Sequence, residues 1–183
     1  MIEGKEMLEL ILRRQSDRKY SDTPIEKEKL ERIVEAGRLS PSACNGQPWK
    51  FIVVNDRELI KSVADAATFK LTGMNSFAGQ AAAIVVIVRE NPNFSSKLGG
   101  AVKSKDYSFY DIGIATENIC LQATAEGIGS CILGWFDEKL VKSLLQIPGS
   151  KRIALIVTLG YSLSENRAKR RKDKEAVISY NKY

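Results

Sequence analysis

No histidine occurs among the 183 residues. That single absence removes Ser-His-Asp and Cys-His nucleophilic chemistry, histidine general bases and every histidine-ligated metal site. Cysteine is scarce too: Cys44, Cys120 and Cys131 are odd in number, scattered and without C-x-x-C spacing. This argues against a disulfide framework and against a zinc knuckle; Cys120 and Cys131 read as small buried apolar residues. No apolar run reaches the roughly 18 residues of a membrane-spanning helix, and the longest, residues 81–88, is strand-sized. The first six residues, Met-Ile-Glu-Gly-Lys-Glu, place acids where a signal peptide has a basic start and an apolar core, so cytoplasm is the expected location. The dinucleotide fingerprint is missing as well. Gly127-Ile128-Gly129 begins like it, but Ile132 stands where the third glycine belongs, and the stretch lies between a helix and a strand, in the wrong order. No G-x-x-x-x-G-K-[ST] loop occurs. An enzyme built from this chain takes its chemistry from a cofactor, and side chains must hold any phosphate.

What is present is an ordinary globular composition, 44% hydrophobic and 27% charged, enough for a sizeable core. The length suits one domain over residues 1–183, with residues 162–183 as a basic C-terminal extension within it. The net charge is +6, and half of it sits in residues 165–175. There Arg167, Lys169, Arg170, Arg171, Lys172 and Lys174 face only Glu165, Asp173 and Glu175. Such a block is a solvated tail, a nucleic-acid arm or a phosphate clamp.

Periodicity supplies the elements. Met7, Leu10, Ile11 and Arg14 share a helical face, predicting a helix over 3–14. A second is expected over 27–36, with Leu30, Ile33 and Val34 inward and Gly37 as its stop. Residues 40–48 form a turn-rich loop whose two prolines and one glycine exclude regular structure. Strands are expected at 51–54, 82–88, 130–134 and 152–161. The second of these, a β-branched run without polar alternation, reads as buried on both faces. Further helices fall at 57–67, at 110–126 with Gly127 as its cap, and at 138–145 behind a capping Asp137; residues 91–105 form a polar, mobile loop. The mostly apolar helix at 110–126 belongs in the centre of the molecule. The order gives an α+β or α/β sandwich around one sheet.

Two segments can hold phosphate. In Arg13-Arg14-Gln15-Ser16-Asp17-Arg18-Lys19 several cations surround one serine just past a helix. Guanidinium forks bind phosphate oxygens by charge-assisted, bidentate hydrogen bonds, although the same cations also suit a solvated helix C-terminus. The basic tail is the second segment.

Together these segments resemble the nitroreductase family of FMN-dependent oxidoreductases. Arg14-Gln15-Ser16-Asp17-Arg18-Lys19-Tyr20 is similar to the family's R-x-S-x-[RK]-x-[FY] motif, and Ser40-Pro41-Ser42-Ala43-Cys44-Asn45-Gly46-Gln47-Pro48-Trp49 to its S-P-S-x-x-N-x-Q-P-W loop. Matches continue at residues 51–54, at Asp111-Ile112-Gly113, over 127–134, at Phe136-Asp137-Glu138 and at Leu159-Gly160-Tyr161. Ser162 and Asp173 stand where the family's tails often have proline. The resemblance implies a three-layer α/β/α sandwich around one mainly antiparallel sheet, with the C-terminal extension reaching a dimer partner. It implies FMN bound at a homodimer interface, with Arg14, Ser16 and Arg18 on its phosphate, supported by Gln15, and with Lys169 and Arg171 returning to the same group. Pro41, Ser42 and Asn45 would approach the partner's flavin, Asn75 the pyrimidine edge, and the Leu133–Gly134 backbone N5. The implied activity passes hydride from NADH or NADPH through flavin N5 to a small electron acceptor of nitroaromatic or quinone type, in ping-pong order. No side chain is named as acid or base, no metal is expected, and neither a membrane nor a specific nucleic acid is a partner. Three alternatives keep a place: a specialised flavin-site relative that dehalogenates reductively or degrades flavin, a flavin-binding sensor or store without turnover, and a nucleic-acid module using the basic tail.

Overall fold

The structure is a computed structural model and describes residues 4–91 and 106–183. Its sheet is organised around β2 (Ala83–Arg89), in which residues 83–88 are all buried. Alternate side chains serve different cores: Ile84, Val86 and Val88 join one cluster, and Ala83, Val85 and Ile87 the other. This is what a run of apolar residues without polar alternation does when helices cover both faces. With β1 (Trp49–Val54), β3 (Gly129–Leu133) and β4 (Arg152–Gly160), the strand order is β1-β2-β4-β3, and every neighbouring pair is antiparallel.

One face of the sheet packs on α2 (Lys27–Arg38) and α4 (Ser108–Ala125) through Leu30, Ile33, Ile112, Ala115 and Ile119. The other packs on α3 (Arg57–Ala67) and α5 (Glu138–Leu144) through Ile60, Val63, Ala64 and Val141. The result is the expected three-layer α/β/α arrangement, with α4 against the sheet. Both helices on the second face start on an aspartate cap: Asp56 accepts from the Leu59 amide at 2.9 Å and Asp137 from the Leu140 amide at 3.0 Å. The first helix, α1 (Gly4–Arg13), lies against α4 and buries none of its residues; Met7, Leu8, Ile11 and Leu12 are exposed. On α4, Tyr110 and Ile114 are exposed too.

Two expectations need revision. Gly37 does not stop α2; it is buried inside a helix that runs to Arg38. A Cβ there would lie 2.8 Å from Ile119 Cδ1 and Cγ1 and 3.1 Å from Phe51 Cζ, so the residue is small because α2 and α4 approach closely. The loop at 40–48 does contain a short 3-10 turn, Ala43–Asn45. Of the polar stretch expected as a loop at 91–105, residues 92–105 lie outside the described residues.

Gly37→Val is expected to destabilise the fold by about 1–3 kcal/mol, the cost of overpacking a closed contact. Thermal or urea unfolding measures it; unchanged stability would mean that the α2–α4 contact yields freely.

Candidate functional site

The site grows from the edge of the sheet. Beyond α1 the chain turns and lays Ser16 beside Ser130 of β3 in a parallel bridge, with the Asp17 amide donating to the Ser130 carbonyl at 2.9 Å. Tyr20 fixes the far end of the turn. Its hydroxyl donates to the Asp17 carbonyl at 2.8 Å and lies 2.9 Å from Thr158 Oγ1. Burial pushes the Tyr20 phenol well above the ordinary tyrosine range, so it stays neutral.

The tail folds back onto this turn. Backbone pairing joins Ser21 to Tyr161 and Leu163 to Lys19, at 2.9 Å each. Gln15, buried, donates through Nε2 to the Glu165 carbonyl at 3.1 Å and accepts the Arg167 amide through Oε1 at 3.1 Å. Arg167 Nη2 donates to the Ser16 carbonyl at 2.7 Å, and Lys169 Nζ donates to the Arg14 carbonyl. The two basic segments thereby face each other across an open cleft of about 680 Å³, lined by Arg14, Gln15, Ser16, Arg18 and residues 167–171. Among the described residues Arg14 has one acid within reach, Glu117 at 3.5 Å. Partial burial, then the nearby guanidiniums of Arg14 and Arg171, hold the Lys169 ammonium below the usual lysine range. A cation disfavoured by its own neighbours is relieved by an anion among them.

Of the expected site residues, Arg14, Gln15, Ser16, Arg18, Lys169 and Arg171 are thus brought together. Leu133 is buried at the far end of the same edge strand, and Gly134 follows it, exposed, with open space where a Cβ would stand. Asn75, in the left-handed region at φ 67°, donates through Nδ2 to the carbonyls of Ala67 at 3.2 Å and Trp135 at 3.3 Å. It therefore braces the backbone just past Gly134.

Pro41, Ser42 and Asn45 are not among the residues lining the basic cleft. Their loop is fastened instead to α2 and α4. Ser40 Oγ donates to the Ala36 carbonyl at 3.2 Å and accepts Asn118 Nδ2 at 2.7 Å, and the Ala43 amide donates to Asp111 Oδ1 at 3.0 Å. Asp111 is buried, and its Oδ2 has no hydrogen-bond partner among the described residues. Within the loop, Ser42 Oγ accepts the Gln47 amide at 2.9 Å. Cys44, Asn45 and Gln47 all take positive φ, at 51°, 50° and 43°. For non-glycine residues this is a conformation of order 1–3 kcal/mol each, held where the surroundings over-determine it.

The buried thiols behave as packing residues. Burial pushes Cys120 up to about 11 and raises Cys131 as well, so neither is a thiolate at neutral pH. Sequence reasoning missed Asp17, Ser162 and Arg167, which join the turn to the tail. Asp17 and Arg167 lay inside segments already singled out; Ser162 carried no signal beyond standing where the family often has proline.

Comparison with known proteins gives a match to the nitroreductase family over residues 11–161. A protein of Archaeoglobus fulgidus, provisionally named NADH dehydrogenase/NAD(P)H nitroreductase, is 40% identical, with 88% of each chain covered. The oxygen-insensitive NADPH nitroreductase of Helicobacter pylori is 30% identical over 82% of this chain and 84% of its own. Among solved structures, an FMN-dependent nitroreductase from Clostridium difficile superposes with a TM-score of 0.78 at 27% identity, covering 96% of this chain and 99% of that one.

Cations from two segments meet in this cleft, which makes anion binding testable without reference to any cofactor. Inorganic phosphate at about 100 times its Kd is expected to add ~2.7 kcal/mol of stability. A thermal melt against chloride at equal ionic strength reads this, and the gain should shrink in Lys169→Ala. Equal midpoints in the two salts would show that no specific anion site exists.

Proposed function

The chain belongs to the nitroreductase family, and on that footing we propose that it is an FMN-dependent oxidoreductase reduced by NADH or NADPH. The observation that carries this reading is the meeting of Arg14, Ser16 and Arg18 with Lys169 and Arg171 around one cleft at the edge of β3. The donor set suits a phosphomonoester, with guanidinium forks, a lysine whose pKa is lowered by partial burial and then by its cationic neighbours, and one hydroxyl. No dinucleotide fold is needed, because the reductant stacks transiently rather than occupying a site of its own. When bound, FMN supplies the hydride chemistry, accepting from NAD(P)H and passing to a small acceptor of nitroaromatic or quinone type in ping-pong order. The protein's own residues hold and orient. The cationic turn and tail take the phosphate, the Leu133–Gly134 backbone offers an amide toward the reacting edge of the ring, and Asn75 keeps that backbone in place while contributing at the pyrimidine edge. No side chain is assigned as acid or base.

The reading takes residues 1–183 as one domain of a cytoplasmic homodimer. Supporting this, α1 exposes Met7, Leu8, Ile11 and Leu12, and α4, which it contacts, exposes Tyr110 and Ile114, apolar surface that a second copy would bury. The loop bearing Pro41, Ser42 and Asn45 then serves the partner's flavin, which accounts for its absence from the cleft in its own chain. The unpartnered Asp111 Oδ2 beneath that loop fits a set of contacts completed from outside the chain. A nucleic-acid role for the tail has less support, because its backbone and Lys169 are committed to the N-terminal turn.

Purified protein should be yellow, or bind FMN in preference to riboflavin, and lose its visible absorption on anaerobic NADH or NADPH. Arg18→Ala should weaken FMN roughly ten- to hundredfold, the worth of a charge-assisted contact of about 1.5–3 kcal/mol. Lys61→Ala, at a surface lysine paired with Glu58 at 2.7 Å, should leave FMN affinity unchanged. Riboflavin binding as tightly as FMN would remove the phosphate role.

Sedimentation should show a dimer at micromolar concentration, and Ile11→Asp should raise its dissociation constant roughly a hundredfold, given about 1.5–3 kcal/mol for one buried aliphatic side chain. A stable FMN-loaded monomer would defeat the shared site.

A further inference from the structure

Asp17 lies inside the cationic turn, yet nothing in the proposed site uses it. Its side chain is 5% exposed, and no ion pair reaches it among the described residues. A carboxylate beside a cleft meant for an anion is electrostatically adverse, since it lowers the positive potential that the cations create. Its hydrogen bonds show another use. Asp17 Oδ1 accepts from Gln15 Nε2 at 2.9 Å and from Ser162 Oγ at 2.7 Å. Those two donors belong to the two halves of the cleft, because Gln15 is in the turn and Ser162 opens the tail. Gln15 in turn meets Glu165 and Arg167, and Ser162 Oγ accepts the Ser164 amide at 3.0 Å. Lys169 and Arg171 follow two and four residues beyond the last of these bonds.

The surroundings leave the carboxylate little freedom. A Cβ on Gly129 would come within 2.7 Å of Asp17 Oδ2 and 2.9 Å of Ser162 Cβ, so the first residue of β3 must be bare for Asp17 and Ser162 to sit together.

We propose that Asp17 is a positioning residue for phosphate recognition, its carboxylate locking Gln15 to Ser162 and thereby setting the spacing between the two cationic segments. With FMN as the ligand this rests on the function proposed above; with inorganic phosphate as the probe it does not. The proposal reverses the sign that charge alone dictates. Removing a negative group from a phosphate site strengthens binding if only the potential matters, and weakens it if the lock matters.

The test measures the Kd of FMN, riboflavin and inorganic phosphate on the full chain and its variants. Asp17→Ala is expected to weaken FMN and inorganic phosphate roughly tenfold, the worth of one or two buried hydrogen bonds, with riboflavin unchanged. Asp17→Asn keeps an acceptor for both donors and sheds the charge, so it should bind phosphate at least as tightly as the parent chain. Ser162→Ala should weaken FMN relative to riboflavin severalfold, and added to Asp17→Ala it should cost nothing more. Asp17→Ala binding phosphate as tightly as the parent, or more tightly, overturns the proposal. If Asp17→Ala does not fold, Ser162→Ala decides, and unchanged Kd values for inorganic phosphate and for FMN relative to riboflavin in that variant overturn it equally. A parent chain that binds inorganic phosphate but does not prefer FMN to riboflavin would defeat the flavin reading and leave the role of Asp17 to the phosphate measurements.

Discussion

Cations gathered around one cleft repel one another, and the protein must hold them by bonds that do not use their charges. Two unit charges 4 Å apart interact by about 4 kcal/mol at the effective dielectric of a protein surface, so an unanchored cluster would splay. The anchoring is done by neutral or backbone groups: the Ser16–Ser130 bridge, the Gln15 amide to Glu165 and Arg167, and the Ser21–Tyr161 and Leu163–Lys19 pairings. Even Lys169 and Arg167 spend hydrogen bonds on carbonyls of the opposite segment. Arg167 and Lys169 are thereby fixed through carbonyls rather than acids, while Arg14 keeps one acid, Glu117, at 3.5 Å.

The layered fold explains why this happens at β3. Interior strands β2 and β4 have neighbours on both sides, whereas β3 ends the sheet and leaves a row of backbone groups to satisfy. Ser16 and Asp17 take part of that row at Ser130. The other end, at Leu133 and Gly134, is braced from Asn75 through Trp135. One short strand thus carries a cationic cleft at its start and a bare backbone turn at its finish, and the sheet fixes their separation.

Much of the fold was legible because it depends on local pattern. The run at 82–88 announced a strand buried on both faces, and Asp137 announced a helix start, since burial and capping leave marks within a few residues. Gly37 misled because a glycine near a helix end signals termination locally, whereas its reason here is the Ile119 side chain of another helix. The cationic turn and tail were each visible as charge, and the family pattern suggested that they converge. The means of convergence was not readable: Asp17 and Ser162 are 145 residues apart, and a polar residue amid polar residues gives no sign of burial. The left-handed residues at 44 and 47 were hidden for a related reason, because Cys and Gln are not the types that announce positive φ.

The bond from Lys169 to Arg14 spans 155 residues of chain. At about 5–20 residues per second of synthesis, one wall of the cleft exists for roughly ten to thirty seconds before the other is made. For most of that interval the first set of cations also lacks its supports, because Ser130, Thr158 and Tyr161, which hold the turn, are made long after it. Both walls of the cleft coexist only once the tail has been made, so a chain that ended short of it would have a nearly complete core and half of the cleft's lining.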